Sequence, residues 1–303
     1  MTKDTKYLVV IAGPTAAGKT ELAIQLAEEL NSVILSADSR QFYKEMNIGT
    51  AKPDPQQLNR IKHYFIDTRS IEDLYGAGHY EKDAIALLDE LFKQYRLVIL
   101  VGGSGLYINA VMNGVDEFVE VPEQIREELN RQFLKNGLRW LQEELKMKDE
   151  TYYKQVDLSN PQRIIRALEV CTYTGKPYSS FLTKSRTPRD FTTIPLLITP
   201  NRETLYKRIN KRVDDMISKG LEEEVKALKA HKHQNALKTV GYKELNAYFE
   251  GEYSLNTAIE KIKQHTRNYA KRQLTWFRNQ GNFKEFSPDD ILLIQNYIRS
   301  FLY

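Results

Sequence analysis

The chain has 303 residues, enough for one large domain or two modest ones with a sizeable core. Hydrophobic residues make up 41% and charged residues 28%, and no run of 18 apolar residues occurs, so composition excludes a helical membrane span and fits an ordinary globular chain. Net charge is only +4, yet seven Lys/Arg and no Asp or Glu fall between Lys261 and Lys284; without those seven the balance turns to −3, so one basic stripe points to a polyanionic partner.

The opening MTKDTKY lacks the apolar stretch of a secretion signal, and a single cysteine, Cys171, excludes an internal disulfide. Both features lead to the expectation of a reducing cytoplasm. His231 and His233 form only an HxH, short of metal-ligand spacing.

In chain order, YLVVIA (7–12) is a short β-branched run that predicts a buried parallel strand. Residues 19–30 place Leu22, Ala23, Leu26, Ala27 and Leu30 at helical spacing. A strand at 33–36 ends in ADSRQFY, a helix is expected over 80–95, and LVILV (97–101) predicts another buried strand before the turn GGSG and a helix from Leu106. Near Gly114 the pattern changes to helices at 123–135, 137–147 and 160–174 with no strand. After the polar stretch TKSRTPRDFTT (183–193), IPLLIT (194–199) returns to strand character, and helices follow at 202–219, 221–230 with 239–249, and 256–279.

GPTAAGKT (13–20) matches the phosphate-binding pattern GxxxxGK[ST] and sits between a predicted strand and helix, as its mechanism requires. The glycines let Gly13, Pro14, Thr15, Ala16, Ala17 and Gly18 curl so that backbone N–H groups point inward at the positive end of the helix. Lys19 adds a mobile charge for a terminal phosphate, and the Thr20 hydroxyl is suited to Mg²⁺. Alternating strands and helices around this loop predict an α/β fold: a P-loop NTPase-like parallel sheet core flanked by helices in 1–114 and 192–303, with an all-helical insertion at 115–191. The strand LVILV ends in Gly102-Gly103-Ser104 and carries no acid for a second metal contact. Asp38, at the end of the second strand, should face the same crevice. It reads either as a general base or as a helix N-cap for SRQFY.

Seven segments occur in the order that they take in the tRNA dimethylallyltransferases, and the chain resembles that family nearly end to end: GPTAAGKT, DSRQFY (38–43), IGTAKP (48–53), VGGSGLY (101–107), NPQRIIRALEV (160–170), VGYKEL (240–245) and TRNYAKRQLTWFR (266–278). The resemblance implies that the loop grips the diphosphate of dimethylallyl diphosphate, and that the five-carbon group goes to N6 of the adenosine 3′-adjacent to the anticodon, in tRNAs reading codons that begin with U. It further implies Asp38 as the base, Thr20 as the Mg²⁺ ligand and Arg212 on the leaving diphosphate. Ser39, Arg40, Gln41 and Ser104, with Gln162, Arg163, Ile164, Ile165 and Arg166 of the insertion, would contact tRNA. The position often occupied by serine in the loop is Ala17, and no C-terminal Cys/His cluster follows as in eukaryotic relatives, so the resemblance is to the bacterial form. A cytoplasmic monomer that binds no membrane is the corresponding expectation.

The chemistry agrees with this set. An aromatic amine is a weak nucleophile, whereas allylic C–O cleavage leaves a stabilised cation, so catalysis rests on charge stabilisation at the departing diphosphate and on alignment. Tyr269, Trp276 and Phe277, interleaved with Lys271, Arg272 and Arg278, are candidates for stacking on a splayed loop, although LTWF equally suits core packing. The competing reading is an ATP-dependent small-molecule or nucleoside kinase, which leaves the DSRQ, QRIIR and C-terminal basic segments without purpose. A GTPase-like RNA-binding module is disfavoured because NKRVD (210–214) spaces its Asp one position too late for NKxD.

Overall fold

The structure is a computed structural model and describes residues 5–116, 119–182 and 188–303. It divides into two compact units, Met1–Asn113 with Arg189–Tyr303, and Gly114–Pro188. The polar stretch expected at 183–193 lies partly outside the described residues.

The first unit begins with β1 (Tyr7–Ala12), every residue of which is buried. Then come α1 (Lys19–Glu29), β2 (Ile34–Ser36), α2 (Pro55–Arg60), β3 (His63–Tyr64), α3 (Ala77–Leu91), β4 (Leu97–Gly102) and α4 (Gly105–Asn113).

The second unit holds α5 (Glu123–Lys148), α6 (Glu150–Tyr153) and α7 (Pro161–Thr174). Helical geometry breaks within α5 at Gly137, where φ is 77°, which is why the periodicity reads as two helices. Asn160 starts α7: its side chain accepts the Arg163 N–H, and Pro161 follows where a missing N–H costs nothing. Leu141, Leu145, Ile164, Ile165 and Leu168 make this unit's own core.

The chain then completes the first unit with β5 (Thr192–Ile198), α8 (Arg202–Ser218), α9 (Leu221–Ala227), α10 (Tyr242–Phe249), α11 (Leu255–Asn279), β6 (Lys284–Phe286) and α12 (Ile291–Leu302). Among the described residues six strands lie in the order β3-β2-β4-β1-β5-β6, all parallel, as a P-loop NTPase-like sheet requires. The period of two splits β1: Tyr7, Val9 and Ile11 pack under α1 and α12 with Leu22, Leu26, Ile294 and Ile298, while Leu8 and Val10 join Tyr80, Ile108, Tyr242 and Phe277 on the opposite face. A sheet covered on both sides explains why its central strands read as unbroken apolar runs.

Candidate active site

The loop after β1 turns sharply because Gly13 and Gly18 hold φ values of 155° and 91°. A Cβ on Gly13 would lie 2.7 Å from the Ile198 carbonyl oxygen, so any side chain there would push the loop off the sheet. Gly18 is the N-cap of α1 and provides no capping side chain. The N–H groups of the first helical turn are therefore left for an anion. Thr15 to Thr20 line a cavity of about 940 Å³ at the carboxyl ends of the strands, together with Asp38, Gly103, Arg212 and Arg272. Gly13 and Pro14 are not among the lining residues and shape the loop from behind; the Pro14 carbonyl accepts the Lys19 ammonium at 2.7 Å.

Lys19 and Arg212 face one carboxylate. Burial pushes the Lys19 ammonium down to about 8, with Asp38 opposing the fall and Arg212 adding to it. Burial also lowers Arg212, again against the pull of Asp38. Two cations held partly desolvated beside a single carboxylate make a site short of negative charge, which an anionic ligand would supply. Arg212 is anchored to the 48–53 segment through the Thr50 carbonyl at 3.3 Å. That segment is itself held by Glu224, which accepts the backbone N–H groups of Asn47, Ile48 and Gly49 and the Tyr242 hydroxyl.

Residues 39–42 form turns and Tyr43 a bridge to Arg69, not a helix, so the helix N-cap reading of Asp38 fails. Its Oδ1 instead accepts the Arg40 N–H at 2.9 Å, which fixes the carboxylate at the tip of β2. Ser39 and Arg40 line the cavity. The Arg40 guanidinium donates to the Ser39 and Asn235 carbonyls, while its Nε is buried with no hydrogen-bond partner among the described residues. Gln41 spans the cavity wall, accepting from the Ser36 hydroxyl and donating to the Thr50 and Ala51 carbonyls. Ser104 is buried and its Oγ accepts the Ser39 N–H at 2.9 Å, so it orients the loop that carries Asp38.

From α11, Tyr269, Arg272 and Gln273 enter the cavity. The Tyr269 phenol is pushed up to about 12, by burial first and by the Asp38 charge second. The basic stripe is not one surface. Lys263 pairs with Asp214 and Glu260, and Arg278 with Glu285. Phe277 is fully buried, and Trp276 packs against the same core, so LTWF holds the helix in place and is not a stacking platform.

Sequence reasoning missed three lining features. Arg208 stands one helical turn before Arg212 on α8, and that spacing of four was its available signal. His265 Nδ1 lies 2.6 Å from the buried Glu244, which also caps the Gly241 N–H. Gln273, a neutral residue inside a basic stripe, carries no signal at all. Among the described residues no group of three or more His, Cys, Asp or Glu could hold a metal.

In the helical unit, Gln162 and Arg163 are exposed and Arg166 is half-buried, pairing with Glu169 at 3.3 Å. Ile164 and Ile165 are fully buried in that unit's core. Their expected RNA contact is corrected: a helix cannot present five consecutive side chains on one face, and the two isoleucines point inward.

Comparison with known proteins decides the family. The model of IPP transferases matches residues 41–280. The chain belongs to that family. A tRNA dimethylallyltransferase of Christiangramia forsetii is 51% identical over 286 residues, covering 94% of this chain and 95% of the relative. One from Bacteroides fragilis is 45% identical, with 97% and 98% covered. The solved tRNA isopentenylpyrophosphate transferase of Bacillus halodurans superimposes with a TM-score of 0.71 at 34% identity, covering 98% of this chain and 96% of that one. A eukaryotic dimethylallyltransferase acting on tRNA gives 0.77 at 25% identity, covering 93% and 74%. No helix among the described residues is long and apolar enough to cross a membrane.

Proposed function

We propose that the chain transfers the dimethylallyl group from dimethylallyl diphosphate to N6 of the adenosine 3′-adjacent to the anticodon, in tRNAs reading codons that begin with U, and releases diphosphate. The observation that carries this reading is a single cavity joining an uncapped helix start, two desolvated cations and a fixed carboxylate. Family membership supplies tRNA as the substrate class.

In this reading the loop N–H groups, Lys19 and Arg212 hold the diphosphate and stabilise the charge that grows on it as the allylic C–O bond breaks. Loss of one such contact costs about 3 kcal/mol of barrier. Asp38 orients the N6 amine toward the allylic carbon and takes its proton. The target adenine leaves its stack in the anticodon loop to reach the cavity. Ser39, Arg40, Gln41, Arg163 and Arg166 are the proposed RNA contacts, with Gln162 beside them. The donor set fits Mg²⁺ carried by the diphosphate, since that ion is commonly held by substrate phosphates and few protein ligands. Thr20 would hold it, and it would neutralise charge on the leaving group.

Mass analysis of an anticodon stem-loop RNA after incubation with protein, Mg²⁺ and dimethylallyl diphosphate tests the proposal. A gain of one dimethylallyl group on the adenosine supports it. Unmodified RNA, with ATP consumed and its terminal phosphoryl group passed to a small acceptor, replaces it with a kinase.

A further inference from the structure

A base turned out of an RNA loop loses its stacked neighbours, and a site that receives it gains by offering a flat ring in their place. Among the described residues that line the cavity, only one is a Phe, Tyr or Trp: Tyr269. The other lining groups are small, aliphatic or polar, apart from the imidazoles of His63 and His265. Tyr269 stands on α11 one turn after His265 and three residues before Arg272, a spacing that puts all three on one face of the helix. It is 36% exposed, so part of the ring stays open. The Arg272 guanidinium lies 5.9 Å from the ring centroid and supports it from the same helix.

The ring is also tied to the segment that carries the carboxylate. The Ser104 hydroxyl is a hydrogen-bonding neighbour of the phenol oxygen. Its Oγ accepts the Ser39 N–H at 2.9 Å, and the adjoining Asp38 is fixed by the Arg40 N–H. The charges that act on the phenol are those of Asp38, Arg40 and Arg272, so the ring belongs to the 38–40 side of the cavity, where the amine is proposed to react. We infer that the Tyr269 ring is the face on which the target adenine stacks, held in register with Asp38 through Ser104. The inference deepens the tRNA reading above and rests on it. Tyrosine suits the position because its flat apolar body meets the base while its hydroxyl anchors the ring to the polar wall. Stacking by itself tolerates any base, so the ring holds the base in place and leaves its identity to polar groups.

The test compares two anticodon stem-loop RNAs, one with adenosine at the target position and one with an abasic residue there, by anisotropy with the full chain. Folding of each variant is checked by circular dichroism. The ratio of the two affinities isolates what the base itself contributes. Tyr269→Ala should lower that ratio by about tenfold, the usual effect of removing one stacking ring. Tyr269→Phe keeps the ring and should keep the ratio within about twofold. Where the alanine variant does not fold, Tyr269→Gln, similar in reach but without a ring, is read on the same ratio. An unchanged ratio in the folded alanine or glutamine variant overturns the inference, and so does a phenylalanine variant that behaves like alanine. An unchanged ratio joined to a raised KM for dimethylallyl diphosphate overturns it in favour of a ring that packs against the five-carbon group. A residue that merely stabilised the fold would weaken both RNAs together and leave the ratio where it was. A wild type that binds neither stem-loop overturns the tRNA reading itself, which separates the two failures.

Discussion

Asp38 and Lys19 can be separated by experiment, because one is proposed to act on the amine and the other on the diphosphate. Asp38→Asn keeps an oxygen to accept the Arg40 N–H and removes the base. Prenyl transfer in single-turnover assays should fall by about 10²–10⁴, the usual contribution of a positioned acid or base, while diphosphate binding at pH 7 changes little. Turnover at the wild-type rate would take Asp38 out of the chemistry. Lys19 sets the pH dependence of binding. Its ammonium is lowered to about 8 by burial in the free protein, and a bound diphosphate raises it again by opposite charge. Binding therefore takes up a proton near pH 8, and affinity falls as pH rises through that value. Calorimetry in buffers of different ionisation enthalpy measures the uptake. Its absence around pH 8 would mean that Lys19 does not meet the ligand.

Elements were legible where they were long or fully covered, and illegible where three-dimensional neighbours alone define them. The runs YLVVIA and LVILV, and the spacing Leu22, Ala23, Leu26, Ala27, read directly as β1, β4 and α1 because each buries a continuous face. β3 and β6 have two and three residues, too few for any period, and exist because a parallel neighbour offers an edge. The phosphate loop was legible because its glycines answer a backbone requirement, whereas Gln273 was not, since nothing in a neutral side chain announces its partners. As a sequence QRIIR reads as one contact block, but α7 turns Ile164 and Ile165 inward and leaves Arg163 outside. That helix depends on its start. Replacing Asn160 with Ala removes the acceptor for the Arg163 N–H and should cost about 1 kcal/mol. The chain has two tryptophans, and Trp140 packs against the helical unit's core while Trp276 lies in the other unit. Urea unfolding followed by Trp140 fluorescence in a Trp276→Phe background therefore reports on the right unit. An unchanged midpoint would show that Asn160 is not needed to start the helix.

At the scale of the whole molecule, the net +4 says little and the pairing of charges says more. Within the 261–284 stripe, Lys263 and Arg278 are neutralised by acids, and Lys261 lies over the Tyr253 ring. Arg272 lines the cavity. Arg163 is exposed on the other unit. If RNA engages both units, each of these two arginines should account for about one released counterion, a slope of about 0.7 in log affinity against log salt for a single-stranded loop. Anisotropy titrations of an anticodon stem-loop across a salt series measure this. Arg272→Ala and Arg163→Ala should each lower the slope by about 0.7, and the double variant by about 1.4, because the contacts lie on separate units and act independently. Lys263→Ala, which removes a charge already paired twice, should leave the slope near its wild-type value and distinguishes phosphate contact from net charge. A slope unmoved by Arg163→Ala would confine RNA recognition to the unit that carries the phosphate loop, and the helical unit would need a different role.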